Sequence, residues 1–168
     1  MASSTLPYRL GLRSEADTVR LAACLAEVVA TGDTLLLDGT VGAGKSAFAR
    51  ALIRATLARD GLPDEDVPSP TFTLVQTYPT QRHDIWHADL YRVTEAGEVL
   101  ELGLADAMPT AVCLVEWPDR LGRDRPSRAA TLRFEITGET TRDLSIFGGE
   151  LAGRLAAAAA DCPMTETV

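Results

Sequence analysis

Along Tyr8 to Leu12 apolar residues fall at alternate positions, the period of a half-buried strand. Ser14 is placed to cap a helix with Asp17 three residues on. Ala16, Val19, Ala23, Ala26, Val29 and Ala30 then recur at helical spacing until Thr31-Gly32. Thr34-Leu35-Leu36-Leu37 is a continuous apolar run, the pattern of a strand covered on both faces. A glycine-rich loop from Gly39 to Gly44 leads into a helix from about Lys45 to Arg59. Gly61, Pro63, Pro68 and Pro70 predict an extended loop. Thr71 to Tyr78 and His83 to Leu90 read as an antiparallel hairpin, Glu95 to Leu102 as a short acidic helix, and Ala111 to Val115 as another buried strand. Leu132 to Thr137 and Asp143 to Phe147 predict a second hairpin around Gly138, followed by an alanine-rich helix from Glu150 to Ala160. The expectation is an α/β protein with a mixed central sheet and helices on both faces. It comprises one domain over residues 1–160 and a disordered tail over 161–168.

The length of 168 residues suffices for one full core, and a mean hydropathy of +0.03 fits a folded soluble chain. A net charge of -8 disfavours free-standing binding to nucleic acid, DNA included. Cys24, Cys113 and Cys162 are odd in number and far apart. They indicate neither a disulfide framework nor structural zinc, and they favour a reducing cytoplasm. Met1 to Pro7 lacks the cationic start and apolar stretch of a secretory leader. Glu27 and Asp33 interrupt the longest apolar stretch well short of the roughly 18 residues a membrane span requires.

Gly39-Thr40-Val41-Gly42-Ala43-Gly44-Lys45-Ser46 matches the Walker A pattern G-x-x-x-x-G-K-[ST] at each fixed position, between a buried strand and a helix. Glycines let successive backbone N–H groups converge on phosphate oxygens, and the helix N-terminus adds its dipole. Lys45 is the sole lysine among 16 cationic residues, and it stands where a point charge meets the β and γ phosphates. Ser46 offers its hydroxyl to Mg2+, and Ala47 continues the phosphate-facing turn. These residues predict a nucleoside triphosphate site with Mg2+ and leave the base open. The metal calls for a carboxylate at the end of a buried strand. Asp89 ends one such strand and Glu116 follows the more apolar one, and spacing leaves open which reaches the ion and which orients the attacking water.

Other residues admit plainer readings. His83 and His87 would lie about 13 Å apart along a strand, too far to share one metal. His87 reads as a structural hydrogen-bonder near Asp89, and Tyr91 and Arg92 as packing and a surface ion pair. Trp117 is either a core residue or part of the site. The cluster Arg120, Arg123, Arg125 and Arg128 supports an alternative, a small nucleotide or metabolite kinase with a basic lid. A third reading is an interaction module holding nucleotide as a fixed ligand.

The ordered motifs resemble those of the TsaE (YjeE-type) P-loop ATPases of bacterial tRNA threonylcarbamoyladenosine synthesis. Beyond the phosphate loop they are Ser69-Pro70-Thr71-Phe72-Thr73-Leu74-Val75, His87-Ala88-Asp89-Leu90-Tyr91-Arg92, Leu102-Gly103-Leu104 and Val115-Glu116-Trp117-Pro118-Asp119-Arg120. The resemblance implies a P-loop NTPase fold and an ATPase that supports the TsaD and TsaB proteins, with tRNA met only indirectly. It implies that Lys45 and Ser46 bind phosphate and Mg2+, and that Thr71 lies in a switch-like loop at the metal. It makes Asp89 the metal-linked acid and places Glu116 beside the γ-phosphate and Trp117 near the nucleotide. Family members usually read G-D-L-G-A-G-K-T, so Thr40, Val41 and Ser46 are departures. Ser46 keeps the hydroxyl that a metal requires, whereas Thr40 removes a loop acid.

Overall fold

The computed structural model describes residues 6–63 and 66–164. Residues 1–5, on which much of the leader reading falls, and residues 165–168 of the expected tail lie outside the described residues. The chain runs β1 (Tyr8–Leu12), α1 (Glu15–Ala26), β2 (Thr34–Asp38), α2 (Lys45–Arg59), β3 (Val75–Tyr78), β4 (Asp84–Asp89), α3 (Ala96–Glu101), α4 (Leu104–Ala107) and β5 (Ala111–Glu116). A 3-10 helix (Pro118–Asp124) leads on to β6 (Ala130–Ile136), β7 (Arg142–Phe147) and α5 (Gly149–Ala160).

The strands form one seven-stranded mixed sheet in the order β1-β7-β6-β2-β5-β4-β3. β2 lies parallel to β5 and β6, and β4 lies parallel to β5. The β3–β4 and β6–β7 hairpins are antiparallel, as expected from the sequence. The apolar run of β2 is divided between two cores. Leu35 and Leu37 pack under α1, α2 and α5, while Leu36 packs with Val99 and Leu104 on the other face. Helices therefore cover both faces, and a strand so enclosed must be apolar throughout. Among the described residues no helix is long and apolar enough to cross a membrane.

Several boundaries differ from the sequence expectation. α1 ends at Ala26, before Thr31-Gly32, because the backbone must turn there to bring the Gly32 amide to Ala111 O (3.0 Å). Val29 keeps its burial from irregular backbone, so its helical spacing records packing rather than helix. β3 begins at Val75 instead of Thr71. Leu74 adopts a left-handed conformation (φ 67°) and its amide bonds Pro70 O (2.7 Å), curling residues 70–74 into a turn. Residues 161–164 of the expected disordered tail are tied to the core. Met164 packs on the core, and Cys162 is disulfide-bonded to Cys24 of α1 with Cα atoms 6.0 Å apart. That bridge corrects the reading of unpaired cysteines and removes their support for a reducing compartment. A sequence separation of 138 left it invisible to spacing. Cys113 stays a free thiol, its pKa pushed up to about 12 by burial, and is correspondingly inert.

His83 precedes β4 and is held by exchange with Thr80, whose hydroxyl donates to His83 O and accepts from His83 N (3.2 Å). Burial pulls its pKa below the ordinary 6.5, with Asp60 opposing and Arg59 and Arg82 adding to the shift. The folded form thus binds fewer protons than the unfolded chain between the two pKa values. The stability linked to the neutral ring is complete above the unfolded pKa and is lost as pH falls through the folded one. A His83→Phe variant should lose less melting temperature between pH 7.5 and pH 5 than the parent chain. Equal losses would assign the acid sensitivity elsewhere.

Candidate functional site

β2 ends at Asp38, and the loop from Gly39 to Gly44 delivers the chain to the first turn of α2. Gly39 has φ 145°, and a Cβ there would lie 2.6 Å from Phe134 O, so the loop can rest on β6 only with glycine at that position. Gly44, at φ 110°, is the left-handed cap of α2. Beneath the loop Phe48 and Phe134 pack with ring centroids 5.6 Å apart.

Lys45 is buried, and its ammonium donates to Gly39 O (2.5 Å) and Thr40 O (2.9 Å). It also lies 4.2 Å above the Trp117 ring. Burial lowers its pKa, while Glu116, Asp89 and Asp38 pull it upward. The cation is therefore stored against neutral carbonyls and an aromatic face, with carboxylates nearby.

The sheet register brings the acids to this lysine. Asp89 and Glu116 are directly paired at the ends of β4 and β5, and Glu116 is also paired with Leu37 of β2. Ser46 Oγ donates to Glu116 Oε1 (2.6 Å). The other carboxylate oxygen takes a 2.7 Å hydrogen bond from Nε2 of the fully buried His87. His87 thus serves Glu116 rather than Asp89, a correction to the sequence reading. The two side chains point to one cluster although their strands are separate in sequence. His87 Nδ1 has no partner among the described residues, which matches a tautomer protonated on Nε2.

Asp89 faces a different loop. Its Oδ2 accepts from Thr71 Oγ1 (3.2 Å) and its Oδ1 from the Tyr91 amide (3.0 Å), while Ser69 and Thr71 share a hydroxyl contact of 2.9 Å. The turn at residues 70–74 is what swings Thr71 inward; a strand over those residues would have carried it along the sheet edge. One carboxylate is thereby tied to the first turn of α2 and the other to the neighbouring loop.

These groups line a cleft of about 480 Å³ walled by Val41 to Ala47, Thr71, Asp89, Glu116 and Trp117. Gly39 and Thr40 contribute their carbonyls to Lys45 from behind that wall. Trp117 holds a left-handed backbone (φ 59°), and its ring tilts against Tyr91 with centroids 4.9 Å apart, so it belongs to the site rather than the deep core. Arg92 stacks over Phe72 (5.3 Å to the ring centroid). Arg120, Arg123, Arg125 and Arg128 do not line the cleft, and Arg125 is turned to Thr131 Oγ1 (3.1 Å). The cleft also contains Arg50, which sequence reasoning missed although it sits four residues, one helical turn, beyond Ser46. Arg142, bonded to the back of the loop, had no sequence signal at a separation of about a hundred residues.

The family model for threonylcarbamoyl adenosine biosynthesis protein TsaE matches residues 12–144, a stretch holding every group just described. The chain belongs to the TsaE family. The TsaE family takes part in tRNA threonylcarbamoyladenosine biosynthesis. A TsaE from Rickettsia felis is 34% identical over 135 residues, covering 80% of this chain and 77% of that protein. A TsaE from Aquifex aeolicus is 35% identical over 136 residues, covering 81% and 92%. The crystal structure of YdiB from Bacillus subtilis superposes with a TM-score of 0.72 over 94% of this chain and 97% of that one. At 23% identity the likeness shows a shared fold, the mixed α/β sheet with helices on both faces described above.

Proposed function

We propose that this TsaE-family protein binds ATP with Mg2+ and hydrolyses it in the cytoplasm, supporting threonylcarbamoylation of tRNA together with TsaD and TsaB. One observation carries the reading. The only lysine of the chain sits at a glycine-rich helix N-terminus, within reach of two strand-end carboxylates that already engage the loop hydroxyls of Ser46 and Thr71. Such a set is costly to assemble without a polyanionic ligand to bind.

In this reading Lys45 leaves the carbonyls of Gly39 and Thr40 for the phosphates, a short movement that exchanges neutral acceptors for charged ones. Ser46, Thr71, Asp89 and Glu116 offer only oxygen donors, which suits a hard divalent cation, and these four residues would hold Mg2+. Bound there, the metal would neutralise charge on the phosphate oxygens. Glu116, steadied by His87, would orient a water and accept its proton, while Thr71 couples Asp89 to the 69–74 loop. Trp117 and Tyr91 form the aromatic wall beside the phosphates. The net charge of -8 agrees with leaving contact with tRNA to the partners.

Phosphate release from ATP, measured with and without Mg2+ and with and without TsaD and TsaB, tests the reading. Metal-dependent release is expected, rising when the partners are present, as is capture of the chain by TsaD–TsaB in an ATP-dependent manner. Phosphoryl transfer to a nucleoside or nucleotide acceptor would instead establish a kinase. Binding without turnover, even with the partners, would leave nucleotide as a fixed ligand and overturn the proposal.

A further inference from the structure

The conformation of the phosphate loop is itself supported from behind by a residue none of its motifs includes. Arg142 opens β7 and is paired with Leu12 of β1 on one side and Ile136 of β6 on the other, so its backbone is fixed within the sheet. Its half-buried guanidinium reaches two groups of carbonyls at once. Nε donates to Ala43 O (3.2 Å) and Nη2 to Gly42 O (3.1 Å). Nη1 donates to Thr141 O (2.8 Å) and Gly138 O (3.0 Å) in the β6–β7 turn. Every acceptor is a neutral backbone oxygen, and no carboxylate pairs with Arg142 among the described residues.

We propose that Arg142 is a positioning residue for the phosphate loop, locking two of its peptide planes so that the Gly44 amide stays turned toward the cleft. The proposal rests on the nucleotide reading above. In a planar trans peptide the C=O and the following N–H point in opposite directions. Holding Ala43 O on the Arg142 side therefore fixes the Gly44 N–H on the other. Holding Gly42 O likewise fixes the Ala43 N–H, which closes the loop on Thr40 O (3.1 Å). The lock is needed because glycine stands on each side of Ala43. Gly42 (φ 79°) and Gly44 (φ 110°) permit the close approach of a phosphate, but they also make rotation of the intervening planes inexpensive. A guanidinium suits the task because its planar fork holds Ala43 O and Gly42 O from two nitrogens while the third stays on the Gly138 and Thr141 carbonyls, four acceptors that the three N–H donors of an ammonium cannot serve at once. Its unpaired charge also polarises both peptide units, strengthening their N–H groups as donors.

Binding of MgADP and MgATP to the full chain, followed by calorimetry, tests the proposal alongside the exchange dynamics of the Gly44 amide in nucleotide-free protein. Arg142→Ala should weaken both nucleotides by about 10- to 100-fold, the usual effect of removing an outer support from a bound-ligand shell, and should give the Gly44 amide new exchange broadening. Arg142→Lys, which keeps the charge but not the fork, should behave like the alanine variant. Thr137→Val removes a hydroxyl contact to Thr141 (3.0 Å) in the same turn without touching the loop, and should bind as the parent does. Parental affinity and a quiet Gly44 amide in Arg142→Lys would overturn the lock, as would a loss in Thr137→Val matching that of Arg142→Ala. Should Arg142→Ala fail to fold, Arg142→Lys decides alone. A parent chain that binds neither nucleotide would sink the ATP reading itself, whereas the Gly44 measurement, which uses no nucleotide, still tests the lock.

Discussion

Replacing Lys45 with alanine should abolish measurable ATP turnover, a loss of at least about 10²- to 10³-fold, the scale for deleting one preorganised electrostatic contact to a reacting group. No neighbouring lysine can substitute, since the chain has no other, and Arg50 enters the same cleft from one turn further along α2. The fold should survive. Burial already disfavours the charged form of Lys45, so deleting the ammonium relieves a desolvation cost while the carbonyls of Gly39 and Thr40 lose their donor. These effects oppose one another, and the melting temperature should move by only a few degrees, each 1 kcal/mol being worth about 2–8 °C in domains of this size range. Lys45→Arg should not restore activity, because the larger planar group must fit a slot in which the lysine is only 5% exposed. Phosphate release and thermal unfolding on the same preparations check both halves of the expectation. Undiminished turnover by a folded Lys45→Ala protein would remove the lysine from the mechanism and with it the reason to read the cleft as an ATPase site.

What could be read from the residues divides along the distance over which they act. The β2–loop–α2 unit was legible because its causes are local: an apolar run, glycines at left-handed positions and a helix that begins at Lys45. Asp89 and Glu116 were legible as strand-end acids near that loop. Their division of labour was not, since it depends on the register that pairs them and on a turn that brings Thr71 to Asp89 instead of Glu116. That turn rests on one left-handed non-glycine residue, Leu74, in a segment whose Thr, Phe and Val content favours a strand. Tertiary packing overrode propensity there, whereas His87 reaches Glu116 through the β4–β5 pairing, a register no local pattern records. The Cys24–Cys162 bridge and the bonds from Arg142 to Gly42 and Ala43 join positions more than 90 residues apart, for which a single sequence contains no periodicity or spacing to follow.

The second large effect is expected at Glu116, where the geometry separates a chemical role from a binding one. Glu116→Gln keeps size and one acceptor, so Ser46 can still donate to Oε1, and Lys45 with its loop is untouched. Nucleotide affinity should therefore hold or tighten, because one negative charge leaves the vicinity of the phosphates. Turnover should fall by about 10²- to 10⁴-fold, the range for losing a positioned general base. The carboxamide presents N–H toward His87, whose Nε2 is already a donor. The alternative tautomer would strand a proton on Nδ1, which has no partner. Either the hydrogen bond to His87 is lost or a buried N–H donor is left unsatisfied, at a cost of about 1–3 kcal/mol, visible as a lower melting temperature. His87→Ala alone should slow turnover less than Glu116→Gln, since the carboxylate remains but is free to rotate. Adding His87→Ala to Glu116→Gln should slow it little further, because a residue that acts through Glu116 has nothing left to position. Additive losses in the double variant would mean that His87 acts on the nucleotide independently. Full turnover in Glu116→Gln would transfer the general-base role to Asp89, whose carboxylate then has to be reached through Thr71 rather than through the phosphate-loop serine.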